Sequence, residues 1–451
     1  MDNINKLKIN WLNIIIQQDF IQYLESDLLK EIALISKLVR EKLKSRLFSN
    51  LELSDNNYDF KFQENLFIEL LNFYANQESQ SYSRRMLKHR LKSLNVETSL
   101  NDYIYSLKDI KMFTKSFYFD ELKKCEYFLF LIIPIFDNLT SLKLNHCTIP
   151  LIGFYKLGES LSSLKSIELI LVTFIKLPKE EIKPVDIKFP CNLTNLDIFY
   201  CAISNNKLPL DPVKFMLSND NRVATNNYIL PNVTIPNLKN LAFIENDENS
   251  IGLKNFLSAN PSLYSLNIER FDMSIIQKLN SLNSLELDII EYIDTKFQAP
   301  ILVNIKKLKF RSIYFDNFEN IKKLCSLCSN LQELDFNMTY SDQVQSSINN
   351  FLVPVLSSLH QLKTFKLSLT TEENENLDIT KFSNIESIII ETESSTIFNL
   401  NFYGCKNLKK LEFVSYTREV NTKKFKDKFN GYKNWVFKFS ENTIRGYKRS
   451  K

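Results

Sequence analysis

Apolar residues along this chain recur in a short fixed order rather than in long runs. The segments "NLTSLKLNHC" (138–147), "NLTNLDIFYC" (192–201), "NLKNLAFIEN" (237–246), "SLYSLNIERF" (262–271), "SLNSLELDII" (281–290), "NIKKLKFRSI" (304–313), "NLQELDFNMT" (330–339), "QLKTFKLSLT" (361–370), "NIESIIIETE" (384–393) and "NLKKLEFVSY" (407–416) share the order L-x-x-L-x-L-x-x-[N/C], with Ile or Phe replacing some leucines. With Leu164-x-x-Ile167-x-Leu169 included, the first apolar position falls at 139, 164, 193, 238, 263, 282, 305, 331, 362, 385 and 408, mostly 19 to 31 residues apart. The last two apolar positions alternate and predict a short strand with both on one face, while the first turns in from the preceding corner. So short a strand cannot bury that face alone, but successive copies stacked on one another can. Between copies, "IGLKNFLSANPS", "DNFENIKKLCSLCSN" and "SSINNFLVPVLSSLHQ" carry helical spacing. The pattern therefore predicts an α/β solenoid with parallel strands on a concave sheet and helices or turns outside. Each fully buried Leu or Ile contributes roughly 1.5–3 kcal/mol, enough over a dozen rows to offset the chain entropy.

This pattern resembles the leucine-rich repeats of the ribonuclease-inhibitor-like, cysteine-containing subclass, over residues 107–416. The resemblance implies a curved leucine-rich-repeat array with a parallel concave sheet. The interval from 201 to 237, with the polar "SNDNRVATNNY", exceeds the usual spacing and reads as a projecting insertion over 202–236.

Cys325-x-x-Cys328 looks at first like a metal clip or redox pair. Zinc needs four ligands, and neither a second C-x-x-C nor an H-x-x-x-H stands nearby; the histidines are His89, His146 and His360. A thioredoxin-like pair requires a different strand-turn-helix setting. The repeat accounts for the cysteines instead. Cys147 and Cys201 take its terminal N/C position, Cys328 and Cys405 each lie three residues before a first apolar position, and Cys325 is an apolar residue of the preceding helix.

Ahead of the repeats, residues 11–53 read "WLNIIIQQDFIQYLESDLLKEIALISKLVREKLKSRLFSNLEL". Asp27 sits as a helix N-cap, Leu28, Ile32, Ile35, Val39 and Leu43 recur at three- and four-residue intervals, and "NLEL" is strand-like. The segment resembles the F-box, carried by Tyr23-Leu24, Asp27-Leu28-Leu29, Leu34-Ile35-Ser36-Lys37, Val39-Arg40 and the closing "RLFSNLEL". The family opens with Leu-Pro where this chain has Leu12-Asn13, and its frequent aromatic near Lys37 is here Val39. The resemblance implies docking of the Skp adaptor of SCF ubiquitin ligases by Leu12, Ile16, Phe20, Tyr23, Leu24, Leu28, Leu29, Leu34, Ile35 and Val39. A helical cap closing the first repeats is the plainer role, and the two are compatible. The expected organisation is thus a helical F-box-like module over 1–55, connecting helices and degenerate first repeats over 56–106, the array over 107–416 and a cap over 417–451.

The chain has 451 residues, 44% of them hydrophobic and 24% charged, as in a globular protein rather than a disordered one. Its six glycines form no phosphate-binding loop, which disfavours a nucleotide enzyme. The first twenty residues lack a secretory pattern, and the longest apolar run, Tyr127 to Phe136, is too short to span a bilayer. The expectation is an intracellular protein, cytoplasmic or nuclear, with reduced thiols and unglycosylated sequons at Asn138, Asn192, Asn232 and Asn337. From Arg418 onward, eleven Lys or Arg face three Asp or Glu, which leaves the rest of the chain at −3 of a net +5. This basic end, interleaved with Phe425, Phe429, Tyr432, Trp435, Phe437 and Phe439, reads as short closing strands over the end of the core rather than as a nucleic-acid or membrane surface.

No nucleophile-base-orienter set is visible, and no catalytic residue, metal or cofactor is expected. Glu286 and Asp288 are carboxylate neighbours, but on an outward strand face with nothing expected to perturb them. That concave face is the place for a partner, and its exposed positions supply Lys143, Asp197, Phe199, Tyr200, Glu269, Glu286, Asp288, Lys309, Arg311 and Asp335. Phe199, Tyr200 and Arg311 are the best hot-spot residue types. Glu286 with Lys309 and Asp288 with Arg311 are expected to pair across adjacent strands. The function implied is a substrate-recognition subunit of an SCF-type ubiquitin ligase, with the Skp-type adaptor and cullin complex on one side and a protein target on the other. The alternative is a free-standing repeat scaffold with nucleic-acid affinity through its basic end.

Overall fold

The computed structural model describes residues 17, 21, 23–54, 96–121, 125–177, 181–204, 225–245, 251–270, 276, 278–289, 301–313, 317–338, 344–369, 379–380, 382, 384–392, 401–402, 405–415 and 422–449. The chain forms two compact units, Met1–Leu238 with Glu245–Gly252, and Lys239–Ile244 with Leu253–Lys451.

The first unit opens with two helices, α1 (Ser26–Ile35) and α2 (Lys37–Leu47). Ser36 breaks them apart: its backbone is extended, and its Oγ accepts the Val39 N–H at 3.2 Å, capping α2. The break rotates the second helix relative to the first. Leu29 and Ala33 of α1 therefore meet Val39 and Leu43 of α2, with Ile21, Leu24, Ile32 and Leu47 packed alongside. The single helical stripe expected through Leu28, Ile32, Ile35 and Val39 is thus two offset stripes. Asp27 is not the N-cap, which is Glu25; it lies in the first turn and pairs with Lys30 at 3.0 Å.

The chain then enters β1 (Asn50–Ser54), the first of a run of parallel strands with β2 (Ser116–Asp120), β3 (Ser141–Asn145), β5 (Ser166–Ile170) and β7 (Asn195–Phe199), in that spatial order. Register has no offset, so Leu142 lies beside Ile167 and Leu196, and Leu144 beside Leu169 and Ile198, all buried. Alternation puts like positions on one face, and the stack then buries whole rows. Short strands β4 (Thr148–Pro150), β6 (Thr173–Ile175) and β8 (Ala202–Ser204) form a second parallel ribbon, which β9 (Thr225–Asn227) joins antiparallel. Of the expected insertion, 202–204 and 225–236 are thus strand and loop on this ribbon, and 205–224 lie outside the described residues.

Between the two ribbons the chain turns sharply at one repeated place. Glu121, His146, Leu171 and Tyr200 each follow a strand and each have φ near +50°, at 49°, 50°, 53° and 53°. The first three donate their N–H groups to the next strand: Glu121 to Asn145 O, His146 to Ile170 O and Leu171 to Phe199 O, at 2.8–3.0 Å. Left-handed backbone costs a residue with a Cβ about 1–2 kcal/mol, an outlay the lateral hydrogen bonds offset.

The second unit repeats the plan in β10 (Asn240–Ile244), β11 (Ser265–Arg270), β12 (Ser284–Ile289), β13 (Lys307–Phe310), β14 (Glu333–Met338), β15 (Thr364–Leu369), β16 (Ser387–Thr392) and β17 (Lys410–Ser415), each parallel to the next. Leu241, Leu266, Leu285, Leu308, Leu334, Phe365, Ile388 and Leu411 form one buried row of this stack. Helices Ile251–Ala259, Phe318–Leu327 and Val353–Ser358 fall on the segments with helical spacing. The wide π-turn Ile348–Leu352 precedes Pro354, which has no N–H to continue an ordinary ladder. At the end, β19 (Thr443–Lys448) pairs antiparallel with β17 and forms a hairpin with β18 (Trp435–Phe439), so the last parallel strand is covered. Phe402 stacks on Tyr432 with centroids 3.9 Å apart, and Phe429, Trp435 and Phe437 complete an aromatic cluster over that end.

Corners before the strands are held by asparagine. Asn138, Asn192, Asn237, Asn304 and Asn330 each precede the first apolar position, and each Nδ2 donates to a carbonyl at the preceding corner: Met112, Ser162, Cys191, Asn280 and Val303, at 2.6–2.9 Å. Leu171→Asn places at a left-handed turn a residue that tolerates it, and Leu171 is 42% exposed, so little burial is lost. The variant should gain about 0.5–1 kcal/mol in urea unfolding, whereas Leu171→Val should lose about 1 kcal/mol or more.

Candidate functional site

Six of the seven cysteines are part of the core, and Cys191 is exposed. Cys328 N–H donates to Cys325 O at 3.1 Å, and Leu331 N–H to Cys328 O at 3.1 Å, closing the corner before β14. Phe136, Leu161, Pro190, Ile235, Leu279, Leu302 and Leu359 accept the equivalent corner bond elsewhere, so Cys328 and Cys405 fill a position taken at those corners by apolar side chains. Cys147 and Cys201 lie under the left-handed turns, with Cys147 Sγ donating to Asn145 O at 3.2 Å and Cys201 Sγ to Phe199 O at 3.6 Å. Burial pushes the Cys201 and Cys328 thiols up to about 12 and holds Cys325 well above the ordinary thiol range. Among the described residues no three His, Cys, Asp or Glu are grouped to hold a metal ion, and no helix is long and apolar enough to cross a membrane.

On the strand face of the second unit, register sets Ala242, Asn267, Glu286, Lys309, Asp335, Lys366, Ile389 and Glu412 side by side. Opposite charges alternate through its middle. Lys309 Nζ is 3.0 Å from Glu286 Oε1, and Lys366 Nζ is 2.9 Å from Glu391 and 3.9 Å from Asp335. The Glu286–Lys309 pair is the one expected. Arg311 does not reach Asp288: its own N–H is fixed on Leu287 O, and its guanidinium folds back so that Nε donates to Glu286 Oε1 at 2.6 Å. Glu286 thus serves two cations, contrary to the expectation that nothing perturbs it. Partial burial alone would raise its carboxyl, but the hydrogen bonds from Arg311 and Lys309 prevail and lower it. For Asp335 the balance is reversed, with burial the larger effect, aided by the Glu391 and Glu286 charges, and only Lys366 and Lys309 opposing. Glu269 and Asp288 are half-buried on β11 and β12.

The remaining sequence-derived positions fall on the first unit. Lys143 Nζ is 2.9 Å from Glu168 Oε1 and 5.4 Å from the centroid of the Tyr118 ring, its neighbour on the other side. Asp197 and Phe199 are half-buried on β7, and Tyr200 is exposed on its left-handed turn.

Of the residues expected to face an adaptor, Leu12, Ile16 and Phe20 lie outside the described residues. Leu29 and Val39 are not on the surface: they form the contact between α1 and α2, because the break at Ser36 turns them inward. Leu24 is half-buried against the same cluster. Tyr23, Leu28, Leu34 and Ile35 face out, at 82%, 45%, 75% and 61% exposure, and Leu38 joins them at 57%. Leu38 was legible as the residue four after Leu34, but a continuous helix through Val39 hid it.

Asp335→Asn should stabilise the protein at neutral pH, with the gain fading as pH falls through the raised folded value and gone below the unfolded value of about 3.9, because a raised folded-state carboxyl costs stability only where it is ionised. Glu286→Gln should do the opposite: a lowered carboxyl contributes stability above its unfolded value of about 4.3, and that contribution is lost as pH falls through the lower folded value. Unfolding midpoints measured from pH 3 to 7 check both. Under native conditions, Ellman's reagent should titrate Cys191, the exposed thiol, and reach all seven only after denaturation.

No family model and no curated protein matches this chain. Among solved structures it is similar to an internalin from Listeria monocytogenes, at 13% identity and TM-score 0.30, over 69% of this chain and 76% of that one. It is also similar to the TLR13–ssRNA13 complex, at 15% identity and TM-score 0.32, over 67% of this chain and 51% of that one, about half of the TLR13 chain. The leucine-rich-repeat fold is read from this chain's own strands: each quoted repeat supplies one strand, joined to its neighbours within a unit in zero-offset register.

Proposed function

We propose that this chain is a substrate-recognition subunit of an SCF-type ubiquitin ligase. The module of α1 and α2 docks a Skp-type adaptor through Tyr23, Leu28, Leu34, Ile35 and Leu38, and the repeats hold a protein target.

One observation carries the reading. The two helices already bury an apolar stripe of their own, Leu29, Ala33, Val39 and Leu43, and still leave five large apolar side chains exposed on residues 23–38. Scattered exposed leucines are ordinary, but several large exposed apolar side chains close together in sequence suit an interaction surface. Its residue types suit a helix-lined apolar contact in which a few anchors supply most of the affinity. The strand face supports the second half of the reading. It presents ordered rows of charged and aromatic side chains with fixed spacing, suited to selecting a partner by electrostatic complementarity.

A pull-down of the full chain with purified Skp-type adaptor tests the proposal. Association is expected, and Leu34→Asp with Ile35→Asp should abolish it while leaving the thermal unfolding temperature within about 2 °C, since both side chains are exposed. A folded wild-type chain that does not associate would remove the ligase role and leave the repeat scaffold.

A further inference from the structure

Cations on the strands of both units are mostly neutralised at home. Lys143, Lys307, Lys309, Lys366 and Lys410 each have a carboxylate oxygen within 2.8–3.1 Å. Lysines one residue before a strand, Lys115, Lys165, Lys239, Lys306 and Lys363, have no ion pair among the described residues, and two of them share a cleft with further cations. A cleft of about 1000 Å³ in the first unit is lined by Lys42 and Arg46 of α2, by Lys115 and Lys165, and by Asn50, Asn138, Thr140 and Asn192, with Ile21, Met112 and Phe113 as its apolar part. Among the described residues no carboxylate lines it, and none of its four cations has an ion-pair partner.

The fold concentrates this charge from two directions. Lys42 and Arg46 are four apart on α2 and so share one face of the helix. Lys115 and Lys165 occupy the same place in their repeats, one residue before β2 and β5, with Thr140 between them: Thr140 N–H donates to Lys115 O and Lys165 N–H to Thr140 O, each at 2.8 Å. Two strand spacings therefore separate the lysines, about 10 Å, along the edge where the strands begin. Four like charges held together without counter-charges repel one another, and an anionic ligand relieves that repulsion.

The lining selects among anions. Single-stranded nucleic acid needs aromatic platforms on which bases stack, and the one aromatic among the described lining residues, Phe113, is half-buried. The neutral amides and hydroxyls, with the exposed Met112 beside them, suit a polypeptide carrying carboxylates and an apolar side chain. We infer that this cleft, between α2 and the leading edge of β1, β2, β3 and β5, binds an extended acidic peptide segment of the target protein. The inference rests on the reading that the repeats hold a protein, and gives that protein's recognised segment a chemistry.

Fluorescence anisotropy with the full chain tests it, using a labelled Glu-rich peptide of about a dozen residues, long enough in extended form to cross the cleft. The same peptide with every Glu replaced by Gln is the control. The acidic peptide should bind, weaken steeply as salt rises, and lose about tenfold or more in affinity with Lys115→Glu plus Lys165→Glu. Lys42→Gln plus Arg46→Gln, on the exposed face of α2, should cost about three- to tenfold and supplies a second variant should the charge reversal disturb folding. Equal binding of the Glu and Gln peptides, or unchanged affinity in the folded variants, overturns the inference. So does a single-stranded oligonucleotide that binds more tightly through the same four residues. The adaptor is absent from this assay, so failure of the adaptor contact and failure of the cleft register in separate experiments.

Discussion

Zero-offset parallel register is the constraint on which both units depend. Each added strand must present two apolar side chains to the same interior at the same height, because its backbone hydrogen bonds to the previous strand fix where those side chains go. A slip of one residue would send Leu142 and Leu144 outward and bring Lys143 into the core. The rows of Leu, Ile and Phe are thus both the source of stability and the ruler that sets every other position. On the opposite face the same ruler lines up charges, which is why Glu286, Lys309, Asp335 and Lys366 meet their neighbours at all.

The strands were legible because that rule leaves an imprint at fixed spacing, and every quoted template became one. Leu51 and Leu53 of β1, read as strand-like, and Phe117 and Phe119 of β2 belong to the same rows, which the repeat template did not include. In β1 the leucines seemed to end the helical module, and in β2 aromatics stand where leucine is usual. The corners were harder. Asn138, Asn192, Asn237, Asn304 and Asn330 recur visibly, but only geometry shows their amides spanning to the preceding corner. The left-handed positions carry Glu, His, Leu and Tyr, with no glycine or asparagine to announce them. In the helical module, local spacing could not reveal the rotation at Ser36, and so Leu29 and Val39 were placed on the wrong side.

The two candidate surfaces rest on different physics. On α1 and α2 it is apolar area the module does not use for itself, a short-range signal indifferent to salt. On the strands it is charge, and there most cations are bound to carboxylates of the same chain, which makes an ordered but nearly neutral surface. A partner meeting Glu286 must compete with Lys309 and Arg311 before gaining anything from it. The cleft at Lys115 and Lys165 sets no such competition, and its charge is available over a distance of about one Debye length, 8–10 Å, at moderate salt.

The asparagine corners bear on how such a chain can lengthen or shorten. Each amide grips the carbonyl one coil back, whatever number of residues the intervening excursion contains; Asn138 to Met112 is a loop of 26 positions, Asn237 to Cys191 one of 46. Insertions between corners are therefore absorbed without disturbing the grip, whereas removing part of a strand would break two handholds at once. Variation in this molecule is quantised at the strands and continuous in the excursions, so new binding loops can be grown on an architecture whose pitch does not change.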